Sequence, residues 1–248
     1  MKKLMALLLM LCLVWSLSSC AIFTAGIDGS GSIEKNPNVS GEVSEPTPEK
    51  GESEETQTPE DSEESEEPEE VIAPGTSEGG TYENKYFGVS LTLPDPWDFY
   101  DEEQILEQNK LTDELFNGVL SEAYENAKTF ADMMAADGLG SSVNATVENL
   151  GLLYGAILSE KEYMNLSLKN LPAGLEAAGI TLVDSELVTM TVGGVEKNVI
   201  TVSLNAQSVD VYEKIFCVKR GSYMLLITVA ALEMDTVDAV LENFTLSE

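Results

Sequence analysis

The side chains of this chain that could do chemistry are almost all carboxylates. Its 248 residues include 44 Asp and Glu, 13 Lys and Arg, three cysteines and no histidine. Histidine is the commonest general base near neutral pH, so its absence excludes catalytic triads of the Ser-His and Cys-His kinds. Paired carboxylates and single thiols are among the groups that remain for acid-base or nucleophilic catalysis.

One acidic cluster has the residue types of a metal site. It follows a predicted strand and precedes a predicted helix, and its members are Asp95, Asp98, Asp101, Glu102 and Glu103. Calcium prefers several oxygen ligands, but this spacing matches no defined calcium loop, and acids also favour a helix start. We therefore predict solvated acids and no metal site, with calcium as an open alternative. The nearby aromatic residues are predicted to be core rather than a ligand surface: Trp97, Phe99 and Tyr100.

Cys217 is the one thiol of the C-terminal part of the chain, between Phe216 and Val218 in a predicted strand. A reactive thiol needs exposure and positive surroundings, whereas a buried cysteine acts as a small apolar side chain. We predict a packing role for Cys217. No glycine-rich turn precedes a helix with lysine, so no phosphate loop is expected. The sequence thus predicts no catalytic residue and no cofactor.

The net charge limits the kinds of partner. It is −31 at pH 7, and the pI is near 4.1. Nucleic acid is repelled by such a surface, and no polybasic patch is available for anionic lipid headgroups. Membrane attachment therefore has to come from an anchor. The charge favours cations or basic partners.

Residues 1–20 have the pattern of an export signal. Lys2 and Lys3 precede an apolar run from Leu4 to Trp15, and small residues lead to Cys20. The apolar run is shorter than the roughly 20 residues that a transmembrane helix needs. A charged start, a short apolar core and small residues at the end are typical of a cleaved signal peptide.

The end of this signal, Leu17-Ser18-Ser19-Cys20, resembles the lipobox of bacterial lipoproteins. The resemblance implies that Cys20 is lipidated through its sulfur and becomes the first residue after cleavage. Acyl chains such as palmitate then hold the protein on the outer, extracytoplasmic face of the cell membrane, each contributing about 0.8 kcal/mol per buried methylene. The alternative is an ordinary signal peptide that is cut near Ser19.

Residues 21–80 are predicted to be a disordered acidic linker. From Asp28 to Gly80 the composition is dominated by Glu, Ser, Thr, Pro and Gly, and residues 60–70 are its most acidic part. Too few apolar side chains remain to offset the entropy of ordering. A cation sponge or a docking tail for a basic partner is the alternative. The Asp-x-Ser-x-Ser pattern at 28–32 resembles the von Willebrand factor A metal site, but only Ala21–Ile27 precedes it, too little for the required sheet.

Residues 81–248 are predicted to be one globular domain. Phe87, Val89, Leu91 and Leu93 alternate with small or polar residues, which indicates a strand with one buried face. Apolar residues recur every three or four positions between Thr112 and Ala136, which predicts an amphipathic helix; they are Phe116, Val119, Leu120, Ala123, Ala127, Phe130 and Met134. A short strand is then predicted around Val143, Ala145 and Val147.

The C-terminal half is predicted to contain a helix, a meander and a closing helix. Ser159 and Glu162 suit a capping box, and Met164, Leu168, Leu171, Leu175 and Ala178 share a face of the helix that follows, with Gly179 at its end. Pro172 is expected to kink that helix or to start a second one. Strands are predicted at 180–192, 195–204, 211–219 and 223–231. Asp235 and Asp238 are predicted to cap a last helix that buries Val237, Val240, Leu241 and Phe244.

The predicted fold class is α+β, a mainly antiparallel sheet flanked by helices. The segment from Tyr86 to Pro94, Tyr-Phe-Gly-Val-Ser-Leu-Thr-Leu-Pro, followed by Trp97, resembles the opening of PsbP-like domains. Asp95-Pro96 stands where that family usually has glycine before the tryptophan. The resemblance implies a PsbP-like α/β/α sandwich that acts as an accessory or binding unit.

Three functions are compatible with the sequence. The first is a non-enzymatic accessory or protein-binding lipoprotein with an extracytoplasmic protein partner, motivated by the predicted anchor, the tether and the lack of catalytic groups. The second is a cation- or small-solute-binding lipoprotein, motivated by the acidic surface. The third is a hydrolase that uses two carboxylates, which requires a pocket with two converging buried acids.

Overall fold

The protein is described by a computed structural model, in which residues 72–115 and 129–247 have defined structure. These residues form two antiparallel sheets, with helices on both faces of the larger one. The predicted α+β class is thereby confirmed. The predicted export signal, Cys20, residues 21–71 of the predicted linker and the pattern at 28–32 lie outside the described residues.

The larger sheet has seven strands in the order β4-β5-β6-β10-β9-β8-β7. They are β4 (Asp98–Phe99), β5 (Thr129–Ala136), β6 (Ser142–Asn149), β7 (Thr181–Val192), β8 (Val195–Ala206), β9 (Val209–Arg220) and β10 (Tyr223–Ala231). The last four form the predicted meander, with bounds close to those expected. Gln207 and Ser208 link β8 to β9 with φ of 53° and 69°, as a two-residue hairpin requires.

The smaller sheet has four strands in the order β1-β2-β3-β11. They are β1 (Thr76–Glu78), β2 (Thr81–Asn84), β3 (Val89–Thr92) and β11 (Phe244–Leu246). The prediction for β3 is confirmed: Phe87, Val89, Leu91 and Leu93 are all buried. Leu91 pairs with Tyr82 on one side and Phe244 on the other, so this sheet joins the two ends of the domain.

Four helices complete the described residues: α1 (Glu102–Leu115), α2 (Gly151–Ile157), α3 (Glu160–Ala177) and α4 (Met234–Leu241). The predicted capping box of α3 is confirmed, because Ser159 and Glu162 bond each other's backbone amides. Met164, Leu171 and Leu175 are buried as predicted, whereas Ala178 is exposed. Pro172 lies inside one continuous helix, and Gly179 ends it with φ of 72°.

Apolar side chains fill both faces of the larger sheet. One face packs against the smaller sheet and α4, with Phe216, Leu225 and Ile227 at its centre. The other face packs against α3, with Ile200, Ile215 and Met224 at its centre. The central strand β10 is buried on both faces, as its two-sided apolar sequence predicts. The layer opposite α3 thus contains a second sheet as well as a helix.

The helix predicted between Thr112 and Ala136 is wrong at its C-terminal end. Residues 129–136 form β5 between β4 and β6, and α1 starts earlier, at Glu102. A register shift lies between Ala131 and Met133 of β5, and Met133 and Met134 are both buried. A bulged strand that is buried on both faces loses its simple alternation, so its apolar residues mimic helical spacing. Residues 116–128 lie outside the described residues.

Two further boundaries differ from prediction. The ordered unit starts before Thr81, because β1 pairs with β2 and Ile72 packs against the core. The residues of β1 are polar and exposed, so no apolar alternation marked this strand. The closing helix is preceded by Glu233 without a side-chain cap, so the predicted Asp235 and Asp238 cap is wrong. Phe244 is buried as predicted, but in β11 rather than in the helix.

Candidate functional site

A charged cluster fastens the junction between α2 and α3 to the sheet. Glu160, the first residue of α3, accepts hydrogen bonds from the Lys197 Nζ to both carboxylate oxygens, at 3.0 and 2.9 Å. Its Oε1 also accepts one from the backbone amide of Lys219 at 2.9 Å. The Lys197 side chain is 10% exposed. A carboxylate bonded to two strands at once fixes the start of α3 on β8 and β9.

Helix α2 is held by the side chain of Lys219, whose backbone amide binds Glu160. The Lys219 ammonium donates to the carbonyl oxygens of Gly155 and Leu158, at 2.5 and 2.7 Å. The backbone amide of Leu150 donates to Ser222 in the β9–β10 turn at 2.8 Å. A Cβ at Gly155 would lie 2.7 Å from Ser222 Cα, so glycine allows the close approach of α2 to this turn. Helix α2 is therefore held tightly although it has only seven residues.

This tightly held helix exposes apolar side chains. Leu153 is 68% exposed, Ile157 63% and Tyr154 36%, and Leu166 of α3 is 37% exposed. Ile157 and Leu166 line one shallow, open groove with Leu158, Glu162 and Asn165. Seven large apolar side chains are exposed in the described residues, and these four are the ones that belong to α2 and α3. We call Leu153, Tyr154, Ile157 and Leu166 the α2 surface.

Strand β6 carries a buried polar face, which no pattern in the sequence predicted. It comprises Ser142, Asn144, Thr146 and Glu148, and Glu148 accepts a hydrogen bond from the Tyr163 hydroxyl of α3. Glu213 of β9 is also fully buried. Glu213 pairs with Ala230 of β10, and Ala230 pairs with Ser142 of β6. Ser142 lies six residues before Glu148 on the same strand. At about 3.4 Å per residue, the two buried acids are about 20 Å apart.

The separation of Glu148 and Glu213 bears on the hydrolase hypothesis. A pair of carboxylates that work on one bond must lie within about 10 Å of each other. These two acids are too far apart, and Glu148 is bonded to Tyr163 between the sheet and α3. They do not form the converging pair that this hypothesis requires.

A third buried carboxylate joins the two sheets. Asp132 of β5 accepts hydrogen bonds from the Tyr82 hydroxyl at 2.5 Å, the Asn84 amide group at 2.8 Å and the Gly75 backbone amide at 2.9 Å. Asn84 in turn accepts from the amide of Phe87 at 3.0 Å. Burial raises the pKa of Tyr82 well above 10, and the Asp132 charge adds to the effect. This group holds the start of the domain against the larger sheet.

Most of the candidate residues that the sequence indicated contribute to packing or to a helix cap. Cys217 is 1% exposed among apolar neighbours, and burial raises its thiol pKa well above the usual value, which confirms the packing role. Asp101 caps α1, because its Oδ1 accepts from the Gln104 amide while Gln104 bonds the Asp101 amide, both at 2.9 Å. Trp97 and Phe99 pack against the core.

The predicted acidic cluster is spread over a turn, β4 and the start of α1. Across residues 72–115 and 129–247, no three acids, cysteines or histidines are arranged to hold a metal ion. No helix in the same two stretches is long and apolar enough to span a bilayer. The cation-binding alternative is therefore not favoured by any specific arrangement in this part of the chain.

The α2 surface was not predicted from the sequence. The stretch from Gly151 to Leu158 reads Gly-Leu-Leu-Tyr-Gly-Ala-Ile-Leu, without a charge or a side-chain cap. An apolar run of this length does not distinguish a buried strand from a short helix. The one sequence signal for the α2 surface is that residues 151–158 carry no charge in a chain that is otherwise so acidic.

No protein-family model and no curated protein matches the sequence. Among solved structures, PsbP from the cyanobacterium Synechocystis sp. PCC 6803 has a TM-score of 0.38 and 12% identity over 72% of this chain and 96% of that chain. A Bacteroides thetaiotaomicron protein has a TM-score of 0.36 and 6% identity over 72% and 50%. LpqN of Mycobacterium tuberculosis, involved in cell envelope biogenesis, has a TM-score of 0.34 and 14% identity over 64% and 83%. Solved structures that are similar to this chain thus include a PsbP, the family whose opening the segment from Tyr86 to Pro94 resembles.

Proposed function

We propose that this protein is a lipid-anchored, extracytoplasmic accessory module that holds a protein partner close to the membrane and acts by binding rather than by catalysis. Its attachment is the acylated sulfur of Cys20, its spacer is the acidic segment, and its binding unit is the domain that starts near Ile72. The observation that carries the proposal is that the buried polar groups of the described domain form hydrogen bonds between elements of the fold.

These polar groups join elements of the fold instead of converging on a shared space. Glu160 binds two strands, Asp132 joins two sheets, and Glu148 joins a strand to α3. Lys214 of β9 forms an ion pair with Asp238 of α4. Catalysis by carboxylates needs groups within reach of one reacting atom. This arrangement supports a module that works through its surface.

The anchor is supported by the sequence alone. The pattern that ends in Leu17-Ser18-Ser19-Cys20 is a lipobox-like export signal, and a short apolar core is typical of a cleaved peptide. Stable attachment needs two or more acyl chains, because one chain gives reversible binding. A linker of some fifty residues with repelling charges gives the domain a long reach from the bilayer.

The partner we propose is a protein that carries positive charge on its binding side. The chain has 31 more acidic than basic charges, so a basic protein is attracted over the Debye length of about 8 Å at physiological ionic strength. Such attraction mainly raises the rate of encounter, and the contact itself then needs shape and apolar complementarity. Nucleic acid is disfavoured for the same reason of charge.

Photo-crosslinking in intact cells tests the partner. A photoreactive amino acid is placed in the full chain at exposed apolar positions on separate elements: Leu106, Leu139 and Val183. We expect at least one position to give a discrete protein adduct, and we expect its yield to fall with rising salt. The matched control is the same chain with Cys20→Ala, which should lose the adduct because it is not held at the membrane. If none of the positions gives an adduct, and a lysine-reactive crosslinker also gives none, a protein partner is ruled out.

A further inference from the structure

We infer that the α2 surface seats on the lipid bilayer, so that the domain lies with this end against the membrane and its acidic end directed outwards. The inference rests on the proposed lipid anchor at Cys20, because the anchor is what keeps the bilayer close to the domain. The occupant of the α2 surface is then the interfacial region of the lipid itself.

The composition of α2 fits the membrane interface. No charged residue occurs from Gly151 to Leu158, and Leu153 and Ile157 are more than 60% exposed. Leucine and isoleucine gain free energy when they leave water, at about 25 cal/mol per Å² of apolar surface. Tyr154 is of a residue type that is enriched at the level of the lipid headgroups. A helix that lies in the interface directs its apolar side chains towards the acyl chains, and Leu153 and Ile157 are exposed for such a contact.

The backbone of α2 is also prepared for an environment with little water. The carbonyl oxygens of Gly155 and Leu158, near its end, accept hydrogen bonds from the Lys219 ammonium. The Gly151 amide at its start donates to the Asn149 side chain at 2.9 Å. Helix ends normally leave such groups to water, and a group without a bond costs several kcal/mol in an apolar medium. For these three groups the protein supplies the bonds that the bilayer cannot.

Charge distinguishes the two ends of the larger sheet. At the far end, the charged residues in and beside the turns are acids only: Asp137, Asp210, Glu233 and Asp235. At the α2 end, Lys161, Lys197, Lys219 and Arg220 accompany Glu160, Glu162 and Glu196. A strongly acidic end is repelled by anionic headgroups, whereas the mixed end is not. The orientation that faces α2 to the membrane therefore has the lower electrostatic cost.

Because the chain is already attached at Cys20, an apolar area as small as the α2 surface is sufficient for contact with the bilayer. A free protein with four exposed apolar side chains would bind a bilayer weakly. A chain already attached by Cys20 meets the same bilayer at a high effective concentration, so the second contact forms without the entropy cost of bringing two molecules together. A protein occupant needs a complementary surface of its own, whereas the bilayer needs only apolar area.

Fluorescence in pure lipid vesicles tests the inference. The full lipidated chain carrying Ile157→Cys is labelled with an environment-sensitive dye and reconstituted in phosphatidylcholine vesicles that contain a spin-labelled lipid. The control is Val183→Cys on β7, because Val183 and Ile157 are both apolar and both 63% exposed. With Cys20 acylated and Cys217 buried, each variant has one reactive thiol. We expect the label at 157 to shift to shorter wavelength and to be quenched several-fold more than the label at 183.

A third variant checks that the α2 surface itself causes the quenching. Leu153→Asp, added to Ile157→Cys, should reduce the quenching to the level at position 183, and folding is spared because Leu153 is 68% exposed. Equal quenching at 157 and 183 overturns the inference. So does protection of position 157 in native membranes but not in pure lipid, since that result assigns the surface to a protein. Failure of the anchor is recognised separately, because the unlabelled chain would then not float with the vesicles.

Discussion

Replacement of Glu160 by alanine should lower the free energy of unfolding by about 3 kcal/mol. The change leaves the Lys197 ammonium, which is 10% exposed, without its two bonds to the carboxylate. It also removes the acceptor of the Lys219 backbone amide. Removing one partner of a largely buried ion pair costs more than the pair itself contributes, because the remaining charge is left poorly solvated.

Urea unfolding of the full chain measures this loss. The matched control is Glu162→Ala, two residues along the same helix, which removes the exposed half of the capping box and should cost clearly less than Glu160→Ala. Both variants lose one carboxylate, so the change in net charge is the same. A Glu160→Ala chain that is no less stable than Glu162→Ala would show that the Glu160 bonds do not hold the α2–α3 junction.

Replacement of Asp132 by alanine should have a similar effect, about 3 kcal/mol, at the other side of the domain. Three donors lose their acceptor at once, and those of Tyr82 and Asn84 are buried. A buried donor without an acceptor costs about 1 to 3 kcal/mol. The smaller sheet should loosen first, since Asp132 is a buried polar link from this sheet to the larger one. Hydrogen exchange of β2 amides, compared with those of β10, reports this directly.

Alkaline pH provides an independent measurement on the same group. Burial, and then the charge and hydrogen bond of Asp132, raise the pKa of Tyr82 well above 10. The unfolded chain therefore loses this proton before the folded chain does. The stability contributed by neutral Tyr82 is complete below about pH 10 and declines as the pH rises towards the folded pKa. Tyr82→Phe should flatten this decline, and an unchanged pH profile would contradict the assignment.

The elements that the sequence predicted well depend on local patterns. The alternation around Val89 and Leu91 marks β3, because that strand has one buried face. The capping box of Ser159 and Glu162 involves residues only three apart, and Gly179 supplies the left-handed end of α3. Gly193-Gly194 and Gly221 marked the turns before β8 and β10, whereas the turn before β9 has no glycine. In each case the physical cause lies within a few residues of the observed feature.

The features that the sequence did not predict depend on distant partners. Asp132 meets Tyr82 and Asn84 from about fifty residues away, and nothing near Asp132 indicates these bonds. Residues of β5 were interpreted as helix, because a bulged strand with two buried faces has no clear period of two. The exposure of Ile157 follows from the Lys219 bonds that fix α2, and their donor lies more than sixty residues along the chain.

The anchor on Cys20 is the claim on which the proposed function and the membrane orientation both depend, and the mass of the mature N-terminal peptide tests it most directly. The chain is extracted from cell membranes with detergent, digested and analysed by mass spectrometry. We predict a peptide that begins at Cys20 and carries the added mass of a diacylglycerol group. A peptide that begins at another residue, or an unmodified Cys20 thiol in a chain that remains in the aqueous phase, would contradict the account.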